Sequence, residues 1–217
     1  MKLNLKIPTS LNEITLRQYK RFLTVQDNTK ETLFLNAKMI EIFCNAELTK
    51  VMLLKVSDVE EITGKLTGMF DTKPSLVKKF ALKGVNYGFH PNLHDLGLGE
   101  YIELDTYIGD WDNIEKAMNV LYRPILVSLK DRYSIEEHNL ENAEAILDMP
   151  MDAVLSSIFF LWNLGLELSQ TMTNYLDSQE DNEVLIQFLN SQANGDGTKV
   201  FTESLKGILQ DLKISLN

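Results

Sequence analysis

The sequence has a single cysteine and only three histidines among its 217 residues. Because Cys44 stands alone, no disulfide can form within the chain, which fits a reducing compartment. Cys44 lies in an apolar helical stripe, which favours a small buried side chain over a reactive thiol. His90 and His94 are separated by Pro91, and no cysteine or further histidine cluster completes a set of metal ligands. We therefore expect neither a metal site nor a cofactor.

The chain also lacks an excess of basic over acidic residues. The chain has 31 acidic residues against 21 Lys and Arg, giving a formal net charge of −10. A protein that binds nucleic acid through phosphates needs a basic face. Nucleic acid is therefore not an expected partner.

Long apolar runs are scarce. The strongest extends from Ala153 to Leu168 and is apolar nearly all round, but it carries Glu167 and is shorter than a bilayer span of about 20 residues. A helix of this kind is typical of a protein core, so we expect no membrane partner. Residues 1–7 alternate between polar and apolar, so no signal peptide is predicted.

Motifs that carry chemistry are absent as well. The glycine pairs at 97–99 and 195–197 do not extend to a phosphate-binding pattern. Carboxylates between Glu100 and Asp112 alternate with apolar residues, as on a helix with a solvated acidic face. No serine lies in a nucleophile elbow. The sequence predicts a protein that is not an enzyme.

Helical periodicity is what the sequence does contain. It predicts helices near residues 16–25, 30–45, 59–70, 101–108, 113–121, 150–176 and 181–192. Thr15 and Ser57 are predicted N-caps, the latter in a capping box, and Asp110 or Asp112 is expected to cap the helix from Asn113. Pro150 suits the start of the longest helix.

Alternation with a period of two predicts a small sheet. It occurs at residues 3–7 and again at 78–90, where Gly84 and Gly88 interrupt a hairpin. Arg123-Pro124 is expected to break the chain, and residues 130–142 to be loose and polar. The predicted fold class is α+β and predominantly helical, with a bundle around the central apolar helix at about 150–176. We expect one domain over residues 1–193 and a separate amphipathic helix over 198–217.

Two features suggest contacts with partners. Trp111, between two aspartates, either anchors an interface or is a buried tryptophan at a helix start. A terminal apolar stripe follows a Gly-Asp-Gly loop and either packs on its own core or crosses to a neighbouring molecule. The stripe consists of Phe201, Leu205, Ile208, Leu209 and Leu212.

Four stretches of the sequence carry a family resemblance: Ile7–Tyr19, Gly99–Leu104, Ala117–Ile125 and Met149–Asp152. Together they resemble a group of tailed-phage proteins from crAss-like gut phages and related marine phages, over most of the chain to about Leu176. Members of the group are treated as virion or assembly proteins of undefined role.

The resemblance implies a phage setting and no catalytic residues. It leaves three roles open: a tail or head-completion component, a cargo protein packed in the virion, or a chaperone for tail assembly. The expected partners are other phage structural proteins and a second copy of the chain, in the virion or the host cytoplasm. The alternative is a membrane-active protein ejected from the virion.

Overall fold

The computed structural model describes residues 5–130 and 132–177, and the fold is given for these. The helices are α1 (Leu16–Asn28), α2 (Thr32–Phe43), α3 (Leu48–Val51), α4 (Val56–Phe70), α5 (Leu98–Tyr107), α6 (Ile114–Leu121), α7 (Ala143–Ile146) and α8 (Met151–Asp177). The strands are β1 (Lys79–Leu82), β2 (Val85–Phe89), β3 (Tyr122–Leu129) and β4 (Arg132–Ile135). The predicted α+β class, with helices predominant, is confirmed.

Helix α1 begins as the sequence predicts. The Thr15 hydroxyl accepts the backbone N–H of Gln18 at 3.2 Å, and the Gln18 side chain accepts the N–H of Thr15 at 2.9 Å. This reciprocal box satisfies two N–H groups that the helix leaves open.

Two other predicted caps are wrong. Helix α4 begins at Val56 because Lys55 is the extended residue whose carbonyl accepts the first helical N–H groups, so Ser57 lies inside the first turn. Helix α6 has Asn113 at its N-cap position. Asp110 instead accepts the N–H of Asp112 at 2.9 Å and stabilises the turn that precedes the helix.

The hairpin predicted at 78–90 is confirmed as β1 and β2, paired from Lys79 opposite Gly88 to Leu82 opposite Val85. Lys83 and Gly84 have φ of 50° and 84°, the backbone that a tight hairpin turn requires. The two strands form half of an antiparallel sheet in the order β1-β2-β3-β4.

The other half of the sheet differs from the prediction. Residues 5–7 are not in a strand, and residues 3 and 4 lie outside the described part of the chain. Strands β3 and β4 instead form where a break and loose chain were predicted. Pro124 lies in β3 opposite Tyr87, and its carbonyl accepts the N–H of Glu136 at 2.9 Å. A register shift follows between Ile125 and Val127, and such irregular positions are where strands accommodate a proline, which has no N–H to donate.

Strand β4 folds back over β2. The Tyr133 hydroxyl donates to the carbonyl of Phe89 at 2.6 Å, which holds its ring across the backbone of Gly88. A Cβ at Gly88 would lie 2.4 Å from the ring edge, so the position requires glycine.

Helix α8 is the central element, as predicted. It begins one residue after Pro150, which bridges to Thr15, and the N–H of Met151 donates to the carbonyl of Ile14 at 2.8 Å. Its first half is buried on nearly every side from Met151 to Leu161. Two buried hydroxyls there, Ser156 and Ser157, donate to carbonyls of the same helix.

Candidate interaction surface

Helix α5 carries the carboxylates that the sequence predicted to face solvent, and that prediction is wrong for its first two turns. A carboxylate oxygen of Glu100 lies 2.6 Å from the Arg123 guanidinium, and Glu103 lies 2.7 Å from Nε2 of His138. All four side chains are largely shielded from solvent. The acidic side of the helix therefore faces the protein.

Arg123 is the anchor of the first pair. It is only 6% exposed, and its Nε and Nη1 donate to the carbonyls of Val120 and Glu136 at 3.2 and 3.4 Å. Strand β3 begins one residue earlier, directly after α6, so the guanidinium is fixed at the junction of a helix and a strand. Placed there, its charge can be matched only by a carboxylate from a neighbouring element.

Glu100 supplies that carboxylate from the first turn of α5. Its second oxygen accepts the N–H of Gly97 at 2.8 Å and so closes the start of the helix. Burial alone would raise the pKa of Glu100, but the Gly97 N–H and the Arg123 charge lower it below its ordinary value. The carboxylate is thus charged and paired at neutral pH.

These pairs join α5 to elements that are distant from it in sequence. Glu100 is paired with the Arg123 guanidinium and Glu103 with the His138 imidazole, and the nearest further acid on α5, Asp105, has its pKa raised by burial. Within the part of the chain that the structure describes, no group of three His, Cys, Asp or Glu is placed to hold a metal ion. What the arrangement does is fix the rotation of α5 against β3 and the segment after β4.

The fixed rotation turns an apolar row outward. Leu98, Tyr101 and Ile102 are 77%, 46% and 55% exposed, and their spacing puts them on one face of α5. We name these three residues the α5 face. Leu104 in the same helix and Ile108 just after it are buried in the core.

The sequence contained a signal for this face that its interpretation missed. The i, i+3, i+4 spacing of Leu98, Tyr101 and Ile102 is visible in the sequence, but the intervening acids suggested that the acidic side was solvated. A second exposed apolar group lies on the β3 strand beyond its pairing with β2, at Leu126, Val127 and Leu129.

Trp111 lies in the turn before α6 and is half-buried. Its ring packs on that of Tyr19 with centroids 5.1 Å apart, and Tyr19 also contacts Phe70 at 5.4 Å. The tryptophan thus joins α1 and α4 to the turn before α6. The terminal stripe of Phe201, Leu205, Ile208, Leu209 and Leu212 lies outside the described residues.

Comparison with known proteins yields no relative: no family model, curated protein or solved structure matches the chain. The resemblance to tailed-phage proteins therefore stays a prediction from the sequence. Among the helices that the structure describes, none combines the length and apolar character needed to span a bilayer.

Proposed function

We propose that this chain is a non-enzymatic protein that binds other proteins through the α5 face, as a virion or assembly component of a tailed phage. The observation that carries the proposal is the orientation of α5, whose acids pair inward while Leu98, Tyr101 and Ile102 point to solvent. Burying one large apolar side chain gains about 1.5–3 kcal/mol. Covering the three neighbouring side chains of the α5 face would therefore stabilise a complex with a partner protein.

The inward ion pairs keep this face available. Rolling α5 to hide Ile102 would pull Glu100 from Arg123 and leave a buried guanidinium without its carboxylate. Breaking a buried pair in this way costs about 3–5 kcal/mol. The helix is thus held in the orientation that offers its apolar row to a partner, as in a helix-in-groove contact.

The kind of partner follows from the same row. An aliphatic pair flanking a tyrosine suits an apolar groove on another structural protein or on a second copy of this chain. The phage setting is supported by the sequence stretches Ile7–Tyr19 and Ala117–Ile125. Within that setting the chain serves as a tail or head component, as packed cargo or as an assembly chaperone.

Site-specific photocrosslinking tests the proposal. A photoreactive amino acid replaces Leu98 or Ile102 in the full chain, produced where the particle assembles. The control position is Leu33, an isolated leucine on α2 that is 59% exposed. We expect one discrete crosslinked product of the same mass from both α5 positions and none from position 33. Absence of a product, or an equal product from position 33, would contradict the proposal.

Quantitative mass spectrometry of purified virions then distinguishes the three roles. A chain that is absent from the particle acts in assembly only. Many copies indicate cargo or a structural ring, and a few copies indicate a tail or head-completion component.

A further inference from the structure

A groove of about 670 Å³ lies between the strands and α8, and no residue of α5 lines it. Its apolar floor is formed by Leu76, Phe89, Phe160 and Leu164. The rings of Phe89 and Phe160 meet edge to face with centroids 5.5 Å apart, so the floor is packed before any ligand arrives. The volume falls in the range of about 300–1,000 Å³ that is typical of binding sites.

The rim of the groove is positively charged. Lys78, His94 and Arg132 line it and are exposed, and no aspartate or glutamate is among the described residues that line it. This is unusual in a chain with a net charge of −10. Neither the Lys78 ammonium nor the Arg132 guanidinium forms an ion pair with any residue that the structure describes. Both cations are thus available to an anion.

His90 lines the same groove and is 8% exposed. Its backbone N–H donates to the carbonyl of Leu121 at 2.7 Å. The imidazole of His90 is largely buried and interacts with the backbone of Asn92. Burial and the charge of Arg123 lower the pKa of His90, while the charge of Glu100, the hydrogen bond with the Asn92 backbone and the charge of Asp95 act in the opposite direction. The imidazole thus adds a polar group to the wall of the groove.

We propose that this basic groove binds an acidic peptide segment of a partner protein, one that places carboxylates beside an apolar side chain. The carboxylates meet Lys78 and Arg132, and the apolar side chain covers the rings of Phe89 and Phe160. The exposed rim leaves the groove open along one side, which suits an extended segment more than an enclosed small molecule. Charge complementarity selects the acidic partner. The contact is separate from the α5 face and does not depend on it.

Fluorescence anisotropy with the full chain tests the proposal. The probe is a short labelled peptide in which glutamates alternate with leucine and tryptophan, and its control is the same peptide with glutamines. Lys78→Glu and Arg132→Glu each reverse one exposed rim charge. The matched control is Lys30→Glu, which makes the same charge change between α1 and α2. We expect each rim variant to weaken binding about tenfold or more, the effect of losing one charge-assisted contact.

Three results would overturn the proposal. The wild-type chain fails to bind the acidic peptide, the glutamine peptide binds equally well, or the rim variants change the affinity no more than Lys30→Glu does. The chain's own acidic stretch after α8 is the remaining competitor. If only the variant E180Q/D181N/E183Q binds the peptide, that stretch is the occupant and the partner peptide is not. None of these results changes the crosslinks expected at the α5 face.

Discussion

Replacement of Arg123 by methionine tests the ion pair that orients α5. Methionine fills a similar volume but removes the charge and the donors to Val120 and Glu136. The Glu100 carboxylate is then left without a cation in a site where its side chain is 19% exposed. Removing one partner of a buried pair costs about 3–5 kcal/mol.

That loss is large against the stability of an ordinary domain, about 5–15 kcal/mol. Urea unfolding of the full chain at neutral pH, followed by circular dichroism, measures it as a lowered midpoint at unchanged slope. The milder Glu100→Gln keeps an acceptor for the Gly97 N–H but also leaves a buried charge, so it too destabilises the fold. The double variant removes both charges, and we expect it to be more stable than Arg123→Met alone.

The double-mutant cycle decides the question. A coupling of about 0.5–3 kcal/mol between the two sites is expected for residues in one ionic network. If the two losses simply add, or if Arg123→Met costs less than about 1 kcal/mol, the pair does not hold α5 and the reasoning fails.

Four further results are expected. Gly88→Ala forces a Cβ against the Tyr133 ring and should destabilise the fold by about 1–3 kcal/mol in urea unfolding. The control, Gly64→Ala on the open face of α4, should stabilise the fold by about 0.5–1 kcal/mol. Equal effects of the two substitutions would contradict the close approach of Tyr133 to Gly88. Hydrogen bonds from Arg17 and Lys83 lower the pKa of Asp148. The contribution of Asp148 to stability is therefore present above about pH 3.9 and is lost as the pH falls through the folded-state pKa. The Asp148→Asn variant should lose less stability between pH 7 and pH 3 than the wild type does. Burial raises the pKa of Cys44 to about 11, so the native chain should react with a maleimide far more slowly than the chain unfolded in guanidinium, and equal rates would refute its burial. Because the apolar half of α8 is buried in the core, the folded chain should not float with neutral liposomes at neutral pH, and flotation would favour the membrane-active alternative.

The fold class and the longest elements could be predicted because their patterns are local. The apolar run after Pro150 predicts a buried helix whatever surrounds it, and the alternation from Phe80 to Phe89 predicts a hairpin. The capping box at Thr15 involves residues three apart and needs no tertiary partner. These elements agree with the structure because their causes lie within a few residues.

The second half of the sheet could not be predicted because its cause is not local. Pro124 is a poor strand residue, and its strand exists because β2 and β4 pair on its two sides. Strand β4 is itself polar and short, and it is held by the Tyr133 hydroxyl on Phe89, 44 residues away in sequence. The predicted strand at residues 3–7 had the right alternation but no neighbour to pair with over residues 5–7.

The α5 face shows most clearly how residues distant in sequence determine which side of a helix is buried. The helix has an acidic side and an apolar side at Leu98 and Ile102, and either side can be buried as far as local sequence is concerned. Arg123 and His138 decide which side is buried, because each offers a basic side chain that an inward carboxylate of α5 contacts. The basic groove likewise joins residues from two strands, the segments before β1 and after β2, and α8, which no spacing rule connects.

The central claim is that Ile102 points to solvent in the free chain and is covered when the partner is bound. The rate of maleimide labelling of the Ile102→Cys variant, in a Cys44→Ala background, reports the exposure of position 102 in the free chain and in the complex. We expect fast labelling of the free chain and strong protection in the assembled particle or complex, with Leu104→Cys slow in both. Slow labelling of the free chain, or equal rates in the two states, would contradict the claim.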